Sequence, residues 1–228
     1  MNRKEFIKIL KDYKGTNVFN PYSDKCELFD KYNASQIRTS NLTKLLDAAI
    51  DKGVDSIWIG RDLGHRGGRR TGIALTDESH LVDAGNKWNL ELVRATKGVL
   101  YSERTAANIW DFVNVLDKNI FMWNVFPFHP YEEGNYLTNR CHTAKERDEG
   151  VVILEALAKL LKPVKIVAIG NDAYKISKKL FLNKPVYKIR HPSYGGEKDF
   201  SKQLSELYNL NKKAIGLIGN KKKNLELF

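Results

Sequence analysis

Apolar residues gather in four short runs along this chain, and the runs predict strands at Ser56 to Gly60, Ile120 to Phe126, Val164 to Gly170 and Val186 to Arg190. The first three (S-I-W-I-G, I-F-M-W-N-V-F and V-K-I-V-A-I-G) are nearly continuous in apolar character, as expected of strands covered on both faces. Helical spacing fills the intervals. Asn2 to Tyr13 carries Phe6, Ile7 and Leu10, and Asn41 to Lys52 turns Leu42, Leu45, Leu46 and Ala49 to one side before Gly53 ends it. Ala106 to Leu116, the segment from Thr143 to Leu161, Asp172 to Phe181 and Phe200 to Leu207 read as further helices, with Thr143 and Glu146 placed as a capping box. Strands alternating with helices predict a single three-layer α/β/α domain over residues 1–228, with a mainly parallel central sheet of about four strands. A helical N-terminal extension over about residues 1–40 and a basic C-terminal tail over residues 219–228 are expected to flank it. No repeat or linker divides the chain.

In such folds a ligand sits outside the carboxyl ends of the strands. The three unusual polar clusters, Arg61 to Thr76, Asn124 to Pro130 and His191 to Gly196, each follow a predicted strand. Composition narrows what they can do. The 228 residues include 38 Lys plus Arg against 27 Asp plus Glu, a formal net charge of +11. That excess suits a polyanion, although lysines solvating helix faces would give the same count. Cys26 and Cys141 are too few for a four-sulfur zinc site or an iron–sulfur cluster, and the five His are scattered, so no metal and no organic cofactor is expected. The charged start and the lack of an 18-residue apolar run predict a protein with neither signal peptide nor membrane span, acting in the cytoplasm as a monomer with free thiols.

The first cluster, I-G-R-D-L-G-H-R-G-G-R-R-T-G, is no P-loop, since it lacks G-K-[ST]. Its glycines permit close backbone approach to a ligand, and Arg61, Arg66, Arg69 and Arg70 could contact phosphate. Asp62 among these cations is either a loop-stabilising Asx turn or a carboxylate placed to orient water. Asn124 lies in an apolar run; it either bonds loop backbone or reads a base edge, for which its amide offers donor and acceptor together. His191 follows a strand and is aimed by Pro192.

In this order and spacing the segments resemble the uracil-DNA glycosylase superfamily. The resemblance rests on Gly60–Arg61–Asp62–Leu63–Gly64, Thr71–Gly72, Trp123–Asn124 and His191–Pro192–Ser193, and covers roughly residues 45 to 205. The stretches E-R-T-A-A-N-I-W, N-R-C-H-T-A-K-E and H-P-S-Y-G-G-E-K-D-F also resemble one bacterial branch without a cluster. It implies a monofunctional DNA glycosylase acting on a flipped-out uracil or 5-modified pyrimidine, in double- or single-stranded DNA, for base-excision repair or for defence against phage DNA with glucosylated hydroxymethyl cytosine. Asp62 and His191 would be catalytic, and Asn124, Gly64, Leu75 and Leu63 would contact the base. Arg61, Arg66, Arg69, Arg70, Ser193, Tyr194 and Lys198 would contact DNA, Tyr194 as a wedge. Relatives often carry Pro at Leu63 and an aromatic at Leu75, and Gly64 stands where strict uracil enzymes carry a bulky Tyr. The implied pocket is therefore open on its 5-position side, unless Phe126 or Tyr194 supplies the missing stack. A catalytically weak member that only captures lesions or single strands would carry much of the same sequence.

Overall fold

From the amino terminus the chain forms α1 (Arg3–Asp12), β1 (Val18–Phe19), α2 (Ala34–Lys52), β2 (Ser56–Asp62), α3 (Gly68–Thr71), α4 (Leu81–Trp88), α5 (Arg104–Val113), β3 (Ile120–Phe126), β4 (His129–Pro130), α6 (Ala144–Leu161), β5 (Lys165–Ile169), α7 (Asn171–Leu180), β6 (Val186–Ile189) and α8 (Glu197–Leu207). The computed structural model describes residues 1–211 and residue 218; the expected basic tail at 219–228 lies outside the described residues.

Four parallel strands in the order β3-β2-β5-β6 make the central sheet. Side chains alternate between its faces, which is why the strand sequences are apolar throughout. Ile57, Ile59, Phe121, Trp123, Val125 and Ile166 pack with Phe6 and Leu10 of α1, Leu42 and Leu46 of α2, and Leu154 and Leu157 of α6. Trp58, Met122, Val167 and Ile169 pack the other way, against Ile109 and Phe112 of α5 and Phe200 and Leu204 of α8. Each such fully buried side chain contributes about 1.5–3 kcal/mol. The result is the three-layer α/β/α arrangement.

Three differences from the sequence pattern have physical causes. Helix α2 begins at Ala34, seven residues before its apolar period becomes readable, because its first turns bury polar side chains. Arg38 pairs with Asp30 and donates to the Arg70 carbonyl at 3.0 Å, and the Asn41 amide donates to the Val93 carbonyl at 2.7 Å. Strand β2 runs on to Asp62 because its parallel ladder with β3 continues to the pair Asp62–Phe126. The first forty residues are part of the core and not an extension. The Phe6 ring lies 5.7 Å from that of Trp123, and β1 pairs antiparallel with β4.

From β2 the chain moves to β3 on one side, then returns past β2 to β5 and β6 on the other. The reversal leaves a crevice outside the carboxyl ends of β2 and β5, where such sheets bind ligands.

Two imidazoles near this edge are held neutral. Burial lowers His129 from 6.5 to about 4, and burial together with the charges of Arg61 and Arg190 lowers His191 to about 4. The unfolded chain therefore takes up protons between pH 6.5 and 4 that the folded chain does not, and stability falls as pH falls through that window. Fully buried His129 accounts for up to about 3 kcal/mol of the loss. Urea midpoints measured from pH 7 to pH 4 should drop, with a shallower drop for His129→Asn; a midpoint flat across the window would contradict this.

Candidate active site

The register of β2 against β3 sets Gly60 opposite Asn124. A Cβ on residue 60 would lie 2.5 Å from Asn124 Oδ1 and 2.8 Å from Leu75 Cδ2, so only glycine lets the Asn124 amide and the Leu75 side chain close over β2. Leu75 reaches this position from a left-handed backbone, φ 56°, uncommon for a residue with a side chain. Asn124 is 1% exposed, and neither its Oδ1 nor its Nδ2 has a hydrogen-bond partner among the described residues. A buried amide left so is rare and costs about 1–3 kcal/mol for each unmet group.

Two residues beyond Gly60, Asp62 ends β2. Its Oδ2 accepts from Arg61 Nε at 2.7 Å, and its Oδ1 is hydrogen-bonded to His142 Nδ1. The Asp62 and His142 side chains are both largely buried, and Arg61 extends on to Asp172, 3.7 Å away. Both carboxylate oxygens are thus oriented by the protein.

His191 follows β6, two strands from Asp62. The Ser193 backbone N–H donates to its Nδ1 at 3.2 Å, and Ser193 Oγ lies 2.7 Å from the same atom. A nitrogen that accepts from an amide carries no proton, so the neutral ring holds its proton on Nε2 and can offer it as a donor. Gly170 follows β5 with φ 92°, and a Cβ there would stand 3.6 Å from His191 Cβ, in ordinary contact. Asp62, Asn124 and His191 therefore leave the same edge of one sheet, with Leu75 beside Asn124.

Other residues expected at the site are placed differently. Leu63 is buried in the apolar cluster on the α5 side, its side chain against Gly68, and so does not face a ligand. Arg69 and Arg70 are 2% and 3% exposed and cannot reach a phosphate. Arg69 lies over the Phe19 ring at 4.0 Å; Arg70 lies 3.1 Å from Glu78 and 4.5 Å from the rings of Phe29 and Tyr101. Arg61 is committed to Asp62, and Ser193 is engaged with His191. Arg66 and Lys198 are exposed, and Tyr194 is 97% exposed on a left-handed backbone, φ 51°. Phe126 is buried between Tyr13 and Phe128 and supplies no stacking face. The space beside Gly64 is not open either: a Cβ there would meet Glu103 Oε1 at 2.9 Å. Among the described residues no three His, Cys, Asp or Glu side chains converge as a metal site, and no helix is long and apolar enough to cross a membrane.

The model of the Uracil DNA glycosylase superfamily matches residues 50–214. The chain belongs to this superfamily. As a DNA glycosylase it carries Asp62, Asn124 and His191 within the matched region. Its fold is similar to that of the Pedobacter heparinus SMUG2 protein, with a TM-score of 0.56 and 16% identity over 90% of this chain and 95% of that one. No curated protein matches the sequence significantly.

Two further polar side chains reach these loops, and no local pattern assigns them a role. His142 lies 80 residues from Asp62, and although it stands in the N-R-C-H-T-A-K-E stretch just ahead of the Thr143 cap of α6, nothing local names its partner. Glu103 precedes α5 as an N-cap whose side chain makes no cap bond and turns to the Gly64–Gly67 loop instead. Loss of the His142 bond should loosen the Asp62 carboxylate. A hydrogen bond to a charged group is worth about 1.5–3 kcal/mol, so His142→Ala is expected to lower single-turnover base release about tenfold or more. His142→Gln, which keeps a donor, should recover part of it. Equal rates for wild type and His142→Ala would show that Asp62 needs no such support.

Proposed function

We propose that this glycosylase hydrolyses the N-glycosidic bond of a flipped-out uracil or 5-modified pyrimidine in DNA, with Asp62 and His191 as its catalytic residues. The observation that carries the reading is the buried, unpartnered amide of Asn124 on the strand edge that also bears Asp62 and His191. A pyrimidine edge presents an acceptor beside a ring nitrogen, the complement of an amide's donor and acceptor. Capture of that edge would satisfy both orphaned atoms at once, while Leu75 offers the ring an apolar contact.

The reaction breaks the bond between the sugar C1′ and the base nitrogen N1, and the electron pair leaves with the base. Negative charge then grows on the base O2, and positive charge on the sugar. The Nε2–H of neutral His191 donates to O2 as that charge develops; such a preorganised donor is worth about 3–4 kcal/mol. The Asp62 carboxylate, fixed by Arg61 and His142, offsets the sugar's charge and directs the water whose oxygen bonds to C1′. That water's proton passes to the carboxylate, and the departed base is protonated in turn. Outside the crevice, Arg66, Lys198 and Arg190 supply phosphate contacts, and Tyr194 is positioned to fill the stack that the flipped nucleotide leaves. Repair of deaminated DNA and attack on hypermodified phage DNA would both draw on this one reaction.

Asp62→Asn and His191→Ala should each reduce single-turnover release from a uracil-containing duplex by about a hundredfold or more. Affinity for an abasic-site duplex should change less than about threefold, because neither side chain supplies the phosphate contacts. Wild-type rates in both variants would refute the assignment. Base release over uracil, 5-hydroxymethyluracil and glucosylated 5-hydroxymethylcytosine identifies the substrate.

A further inference from the structure

The Glu103 carboxyl has no role in the chemistry just described, yet it occupies a defined place beside it. One oxygen would stand 2.9 Å from a Cβ on Gly64, and the other 2.5 Å from a Cβ on Gly67, so the two glycines make the room the carboxyl fills. The backbone N–H groups of Gly67 and Arg66 favour its charged form. Its own backbone N–H donates to Asp77, which fixes the start of α5 against this loop. Gly64 is two residues from Asp62, a separation that the chain spans in at most about 7 Å. Glu103 thus lies against the loop that leaves Asp62.

A pyrimidine with O2 at His191 and its N3 and C4 edge on Asn124 turns C5 away from both, toward that loop. We propose that Glu103 is the specificity-determining residue of the site, its carboxyl receiving a hydroxyl group carried on the 5-position of the pyrimidine. The proposal rests on the function proposed above and deepens it. Carboxyl oxygens, with up to four lone-pair sites between them, are good acceptors for a hydroxyl. Burial first, and the nearby Asp77 carboxylate second, push Glu103 above the usual carboxylate range, so the group can also donate once protonated. A 5-methyl group would cover the carboxyl and give it no partner. A site built to bond a hydroxyl rejects the analogue that lacks it.

The test uses three duplexes that differ at one base, carrying uracil, thymine or 5-hydroxymethyluracil, with wild type, Glu103→Gln and Glu103→Ala. Wild type is expected to release 5-hydroxymethyluracil at least about tenfold faster than thymine. Glu103→Ala should lower release of 5-hydroxymethyluracil about tenfold while changing uracil release less than about threefold. Glu103→Gln, which keeps the shape and one acceptor oxygen, should fall between them and speaks for the site if the alanine variant does not fold. An unchanged ratio of 5-hydroxymethyluracil to uracil release in both variants overturns the proposal while leaving the proposed function intact. If wild type releases none of these bases and no glucosylated 5-hydroxymethylcytosine either, the proposed function fails instead. The Glu103 assignment is then read from the relative affinities of the same duplexes by fluorescence anisotropy. A loss of preference for 5-hydroxymethyluracil in Glu103→Ala supports it, and an unchanged preference overturns it.

Discussion

The candidate site depends on one close approach between neighbouring strands. Because the parallel register sets Gly60 beside Asn124, and residue 60 has no side chain, an amide from β3 can lie over β2, two residues before Asp62 ends that strand. Leu75 closes the same spot from a left-handed turn. A methyl group at residue 60 would push the amide aside and lift Leu75 with it, and a well-packed interior takes up such a change only by strain. The paired strands therefore fix the spacing of the Asn124 amide and the Asp62 carboxylate.

Around this point the cations divide into two sets with different work. Arg38, Arg69 and Arg70 are buried, against Asp30, the Phe19 ring and Glu78 with its aromatic neighbours, and they hold the first forty residues to the loop after β2. Cations so deep stay charged only with partners. Arg66, Arg190 and Lys198 remain outside, where phosphate can reach them. Arg61 joins the two sets: it orients Asp62, and its charge helps keep His191 neutral. One guanidinium thus acts on both side chains, orienting the Asp62 carboxylate and disfavouring the cation of His191.

The loop after β2 is shaped as much by its glycines as by its arginines. Gly72 takes a left-handed conformation to end α3, and a Cβ there would meet Arg38 at 2.9 Å. Gly64 and Gly67 yield their space to Glu103, so the gap left by a missing side chain is refilled from another part of the chain. Close packing makes this the general expectation, since interiors seldom keep voids that a neighbour can enter.

The sequence by itself determined the layers and the edge where chemistry would lie. Continuous apolar runs separated by amphipathic helices leave few arrangements other than a covered parallel sheet. Asp62, Asn124 and His191 were legible because each follows or ends such a run, and position along a strand is a local property. Tertiary structure decided what depends on partners distant in sequence. The early start of α2 was hidden because its inward positions are polar, and polar residues become buried only when a distant group satisfies them. Arg69 and Arg70 differ from Arg66 in nothing a local pattern records; Phe19, Phe29, Glu78 and Tyr101 turned them inward. His142 and Glu103 reach the site from loops 80 and 39 positions from Asp62 and Gly64. Hydrogen bonds and steric contacts act over a few ångströms of space, whereas periodicity reports only neighbours along the chain, so the His142 bond to Asp62 and the Glu103 contact with Gly64 and Gly67 came into view only with the fold.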